Sequence, residues 1–177
     1  MKLLELKKLR KDIIKKYYID KWKEVWFFPS YNQVKGFLGT QDIIFLGLNP
    51  SHGYFPSKYD KFFYKELKKN NFEDAHITDL IKIKELNKKI NELLEDKKIL
   101  KEQVEFLIKE IKIINPRIIV ILGRKCDELF RKNFPDEDIP IIKIRHYSSI
   151  RFPKNKNSFS KEMKKVKEMY IRMFKGN

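Results

Sequence analysis

Cysteine is all but absent from this chain, with Cys126 the single one among 177 residues. One thiol closes no disulfide within the chain and builds no all-cysteine zinc or iron–sulfur site, so the fold has to be held by a core, which a chain of this length can bury. Neither Gly-x-x-x-x-Gly-Lys nor Gly-x-Gly-x-x-Gly occurs, so P-loop hydrolysis and dinucleotide binding lose their sequence support. No apolar run reaches the ~20 residues that span a bilayer, and the amino terminus reads as a Lys-rich amphipathic pattern rather than a signal peptide. A soluble, cytoplasmic protein that needs no metal or cofactor and stays monomeric is the expectation. Acidic residues are outnumbered, 24 against 40 Lys and Arg, for a net charge of +16. That excess argues for a polyanionic partner, nucleic acid first and an anionic membrane surface second, with salt-sensitive binding through counterion release. Abundant Lys, Ile and Asn is also what an A/T-rich genome produces, so charge alone leaves the partner open.

What the chain does have is one stretch around which the rest is arranged, Asp42-Ile43-Ile44-Phe45-Leu46-Gly47-Leu48-Asn49-Pro50-Ser51-His52-Gly53. A short apolar run broken by Gly, Asn and Pro reads as a buried strand ending in a polar turn. In a parallel α/β sheet such a turn lies at the ligand crevice, which would put Asn49, Ser51 and His52 there. Residues 1–24 precede it as an amphipathic helix with Leu3, Leu4, Leu9, Ile13, Ile14 and Tyr17 as its apolar set. Tyr54 and Phe55 follow in a turn-rich loop, either to pack on the core or to stack on a flat ligand. A short helix around Phe62, Phe63 and Leu67 ends near Asn70, and a second strand at 75–81 carries Asp79 near its carboxyl end.

From Glu85 to Ile114 the pattern is helical but long, which predicts two helices or one broken near Asp96, with 84–98 a solvated helical insertion. Arg117 to Leu122 is the clearest buried strand, almost without alternation, as a central parallel strand should be. Gly123-Arg124-Lys125 then opens a helix and aims backbone N–H groups and two cations at the crevice. A fourth strand, 141–145, delivers His146-Tyr147-Ser148-Ser149-Ile150-Arg151 to the same place. Ser158 is expected to cap a last helix whose buried stripe is Met163, Val166, Met169, Tyr170 and Met173. Together these elements predict one domain over residues 1–177, a three-layer α/β/α sandwich with a central, mainly parallel four-stranded sheet.

Three blocks in order resemble the uracil-DNA glycosylase superfamily. Gly47-Leu48-Asn49-Pro50-Ser51-His52-Gly53 looks like its first motif, in the Asn-bearing form of the mismatch-specific and single-strand-selective branches. Arg117 to Leu129 looks like the strand and helix start between the motifs, and His146-Tyr147-Ser148-Ser149-Ile150-Arg151 is similar to the second motif. The resemblance implies a monofunctional glycosylase that removes uracil or a related base from single- or double-stranded DNA. By it Asn49 positions the attacking water, while His146 stabilises charge on the departing base. Gly47, Leu48, Ser51, Tyr54 or Phe55 and Asp79 line the base site, with Phe55 the preferred stacking residue. Ser148, Ser149, Arg151, Arg124 and Lys125 contact DNA, and Ile150 fills the gap left by a flipped nucleotide.

The departures are equally specific. Tyr147 stands where the second motif has Pro, and Ser51 where strict uracil enzymes have a bulky Tyr. Asp79 falls near a position where several branches have Asn, and an ionised carboxylate accepts hydrogen bonds but cannot donate one to O4 of uracil. These features leave room for a catalytically silent, DNA-binding relative. An enzyme of free nucleotides or nucleosides is the third reading, for which so many cations would be superfluous.

Overall fold

Burial with a period of two along two apolar runs sets the architecture. Ile43 and Phe45 join one core cluster while Ile44 and Leu46 join another, and Ile118, Val120 and Leu122 part from Ile119 and Ile121 in the same way. Strand side chains point alternately to opposite faces, so the sheet these runs form is covered on both sides.

The computed structural model describes residues 1–18, 24–50, 53–84, 90–134 and 138–175. Its elements in chain order are α1 (Lys2–Tyr18), β1 (Glu24–Val25), β2 (Gln41–Gly47), α2 (Lys58–Lys69), β3 (Ala75–Asp79), β4 (Ile83–Lys84) and α3 (Ile90–Glu95). There follow α4 (Lys97–Ile114), β5 (Ile118–Leu122), α5 (Arg124–Asn133), β6 (Ile141–Ile144) and α6 (Pro153–Lys175). The four-stranded sheet runs β3-β2-β5-β6 with every pair parallel, and β1 and β4 form a separate antiparallel pair. Leu6 and Ile13 of α1, Leu107 and Ile111 of α4 and Phe130 of α5 pack on one face. Phe63 and Leu67 of α2 and Phe159, Met163 and Val166 of α6 pack on the other. This is the expected three-layer α/β/α sandwich.

Local rules explain where the elements stop. Asp96 breaks the long helical segment as foreseen, its carboxylate accepting from the N–H groups of Lys98 and Ile99, both at 3.0 Å. Asn115 ends α4 in the left-handed region, at φ 47°, immediately before Pro116. Four expectations need correcting. Leu4 is exposed, as are Leu3 and Ile14 to a lesser degree, because the buried stripe of α1 is Leu6, Leu9, Ile13 and Tyr17, which share the opposite face. The segment 84–98 is not purely solvated, since Leu93 of α3 is buried in the first cluster; residues 85–89 lie outside the described residues. Ser158 caps nothing. The last helix begins at Pro153, whose fixed φ and missing N–H suit a first helical position, and the Ser158 hydroxyl donates to the Lys154 carbonyl inside it. Phe159, fully buried, takes the core place expected of Met169, which is 40% exposed.

Candidate active site

Four parallel strands bring four polar turns to one edge. Gly47 and Asp79 are register partners at the ends of β2 and β3, and Leu122 and Ile144 are partners at the ends of β5 and β6. Asn49, two residues past β2, and His146, two past β6, therefore stand at the same carboxyl edge, and both line one groove of about 530 Å³ with Gly123, Arg124 and Lys125. Gly123 has to be glycine there. It sits at φ +93°, and a Cβ on it would come within 3.3 Å of the His146 Cβ.

Hydrogen bonds fix both polar side chains of the groove. The Asn49 amide donates through Nδ2 to the Pro50 carbonyl at 3.0 Å, which leaves Oδ1 as the acceptor, without a hydrogen-bond partner among the described residues. His146 is the N-cap of the 3-10 turn Tyr147–Arg151, and its Nδ1 accepts the Ser148 backbone N–H at 3.1 Å. With Nδ1 also 2.8 Å from the Ser148 hydroxyl, the ring proton of the neutral form belongs on Nε2. Burial pushes the His146 pKa down to about 4, against a smaller opposing pull from Asp60. At neutral pH the ring is an uncharged N–H donor.

A second, narrower cavity lies on the other side of Asn49 and Pro50, which line both hollows. Phe55, Asp60, Asp79 and Tyr147 reach this one, with Trp26 and Phe28 behind them. Phe55 packs edge-on to Tyr31 and Tyr64 and tilted against Trp26. Tyr147 lies flat between His146 and Phe63, with ring centroids 4.3 and 4.7 Å away. Its hydroxyl bonds to the Asp60 carboxylate. Thus the residue that replaces Pro ties the histidine turn to the start of α2, where Asp60 also closes a capping box with Ser57.

Asp79 is 5% exposed, and its Oδ2 has no hydrogen-bond partner among the described residues. Its carboxylate crosses β2 at Gly47, where a Cβ would fall 2.2 Å from Oδ1. Burial pushes its pKa up to about 7; Lys82 opposes the rise, and Glu110 and Asp60 add to it. The ammonium of Lys82, itself buried, donates 2.8 Å to the Asp79 backbone carbonyl rather than to its carboxylate, and lies 2.9 Å from Glu110. Burial alone would raise Glu110, but Lys82 and a 3.2 Å contact with His76 outweigh it and leave its carboxyl below the ordinary value. The Lys82 backbone N–H donates to Gln103, which in turn donates to the Tyr17 hydroxyl.

Of the residues singled out in the sequence, Leu48, Asn49, Phe55, Asp79, His146, Arg124 and Lys125 converge on these two hollows, and Gly47 lies against the Asp79 carboxylate. Tyr54 does not pack and is 97% exposed. Ser51 lies outside the described residues, as does His52. Ser148 supports His146, the Ser149 hydroxyl is buried without a partner among the described residues, and Ile150 is half-buried against the second core cluster. Arg151 and Phe152 are exposed. Sequence reasoning missed Asp60, Trp26, Phe28 and the Lys82–Glu110–His76 network. The Ser57-x-x-Asp60 pattern was available for the first, while nothing local distinguishes the others. Among the described residues no helix is long and apolar enough to cross a membrane, and no group of three or more His, Cys, Asp or Glu is placed to hold a metal ion.

A family model described as the uracil DNA glycosylase superfamily matches residues 36–169, from the 3-10 turn before β2 to well within α6. No curated protein sequence matches the chain significantly.

Proposed function

Because the chain belongs to the uracil DNA glycosylase superfamily, we propose that it hydrolyses the N-glycosidic bond of uracil or a related damaged or mismatched base in DNA and leaves an abasic site. The observation that carries this reading is His146, whose Nδ1 accepts from the Ser148 N–H in the groove that Asn49 also lines, so that Nε2 is left to serve as the donor. Breaking the bond sends its electron pair to the base and builds positive charge on the sugar, so catalysis asks for fixed dipoles rather than a strong nucleophile. His146 donates from Nε2 to a base oxygen as negative charge gathers there. Asn49 accepts a water proton on Oδ1 and aims the water at the sugar carbon, where the new C–O bond forms as the base leaves.

The flipped base enters from the groove toward the cavity beside Phe55 and Asp79, which at about 20 Å³ has to open to admit it, and extruding the base costs a few kcal/mol. Arg124 and Lys125 at the N-terminus of α5 hold backbone phosphate, and Ser148 joins them from the histidine turn. Asn49 in the first motif supports, within this reading, an activity like that of the mismatch-specific and single-strand-selective branches. A second reading, binding without cleavage, is favoured by the two carboxylates in the cavity, since ionised acids repel the carbonyl edge of uracil.

Labelled oligonucleotides carrying uracil, hypoxanthine, or G:U and G:T mismatches, treated with the protein and then with alkali, separate the two. Strand breaks at the modified base that fall by about 10²- to 10³-fold in Asn49→Ala, with DNA binding retained, are the expected result. Salt-sensitive binding with no breaks on any substrate would establish the silent protein instead.

A further inference from the structure

Asp79 is a side chain that the chemistry of bond cleavage does not use and that the fold has nonetheless aimed into the base cavity. Three observations define its state. Its carboxyl is buried, with Oδ2 unpartnered among the described residues. The nearby cation, Lys82, is committed to the Asp79 backbone carbonyl and to Glu110. Asp60, a second carboxylate, lines the same cavity and is already bonded to Ser57 and Tyr147. A carboxylate that is dry, unpaired and next to another acid sheds its charge by taking up a proton.

We propose that Asp79 meets the base as a neutral carboxylic acid and that its ionisation switches off recognition of bases with a lactam edge. This rests on the glycosylase reading above. A carboxylic acid offers one acceptor and one O–H donor side by side, the same pair as a carboxamide, and so complements an adjacent N–H and C=O such as N3–H and O4 of uracil or N1–H and O6 of hypoxanthine. The anion offers acceptors only and turns one of them against the carbonyl. Asp79 thereby serves lactam bases in the role of an asparagine below its midpoint and rejects them above it.

Lys82, Glu110 and Asp60 set the midpoint, and the other titratable groups that face Asp79 are neutral phenols and a thiol. Lys82 follows on the same chain segment, Glu110 comes from α4, Asp60 and Tyr64 from α2, Tyr147 from the histidine turn and Cys126 from α5. The acid's pKa is raised to about 7, so the neutral form prevails below that pH and is lost above it. His146, depressed to about 4, is neutral above that value. Single-turnover excision of uracil should therefore follow a bell with limbs near those two values, falling tenfold per pH unit on the alkaline side.

The test compares this profile in the wild type and Asp79→Asn. The alkaline limb should vanish in the amide variant, which cannot ionise; the same limb in both proteins overturns the proposal. A carboxyl NMR titration of Asp79 in the wild-type protein needs neither a variant nor turnover. Its midpoint should lie near neutrality and move upward on addition of free uracil, because the base binds the protonated form. An ordinary midpoint near 4, or no shift with uracil, overturns the proposal. Absence of excision at every pH, with the uracil-dependent shift present, would overturn the glycosylase reading and uphold the acid's role in base recognition.

Discussion

The two hollows on either side of Asn49 are built on opposite electrostatic plans. In the groove the polar atoms are committed: the Asn49 Nδ2 to Pro50, the His146 Nδ1 to Ser148, with Arg124 and Lys125 exposed at the rim. In the cavity two acids sit among aromatic rings, and one of them keeps an oxygen unpaired among the described residues. Bond cleavage is served by the first arrangement, since preorganised dipoles cost no reorganisation when charge develops. The second arrangement suits discrimination, because an unsatisfied buried group penalises any base that fails to pair with it. The matches to the superfamily's motifs gather at the groove, while two of the departures, Tyr147 and Asp79, line the cavity. On the glycosylase reading proposed above, chemistry and choice of base are separated in space and share Asn49 as their border.

The comparison breaks most severely behind Asp79. Lys82 and Glu110 are both essentially fully buried, and Lys82→Met would leave the Glu110 carboxylate facing His76 with its strongest counter-charge gone. Removing one member of a buried pair costs about 3–5 kcal/mol, which urea unfolding reads directly. The same change removes the cation that opposes protonation of Asp79, so the alkaline limb should move to higher pH while the acid limb set by His146 stays in place. A shift in both limbs would mean that the two hollows are one electrostatic unit.

Tyr147→Phe is a gentler cut at the border. It preserves the ring stacked between His146 and Phe63 and deletes the hydroxyl that bonds to Asp60. Leaving that buried carboxylate one donor short should cost about 1–3 kcal/mol of stability. Excision chemistry at fixed pH should change little, because the ring and not the hydroxyl supports the histidine. A large loss of excision with stability intact would place the hydroxyl in the reaction.

How far the sequence could be read follows from the range of the signals. The strands at Ile43 and Ile118 announce themselves because burial on both faces demands unbroken apolar runs, and the polar residues that follow mark the crevice edge. Asp96 and Asn115-Pro116 were visible as helix stops for the same reason: a cap acts on its immediate neighbours. Lys82, Glu110 and His76 were not. Each reads locally as an ordinary polar residue, and only the packing of α4 against the segment after β3 makes them a network. The surroundings of Asp79 were hidden on similar grounds, because its Oδ2 finds no partner among the described residues and no local pattern records that.

The smallest effect concerns the loop that follows His146. The motif pattern assigns the gap-filling role to Ile150, yet that side chain is half-buried against the core near α6, whereas Phe152 is 50% exposed, with the Arg151 guanidinium 4.9 Å from its ring centroid. An aromatic ring open to solvent beside a cation is the better wedge, since it can stack on a neighbouring base while the guanidinium stays near phosphate. Phe152→Ala should lower excision from duplex by about fivefold relative to single strands, equivalent to about 1 kcal/mol of stacking. Ile150→Ala should instead lower stability and reduce both substrates alike. The ratio of duplex to single-strand rates in the two variants decides the matter: if it falls in Ile150→Ala and not in Phe152→Ala, the wedge is the aliphatic residue, and the loop must rearrange on DNA to expose it.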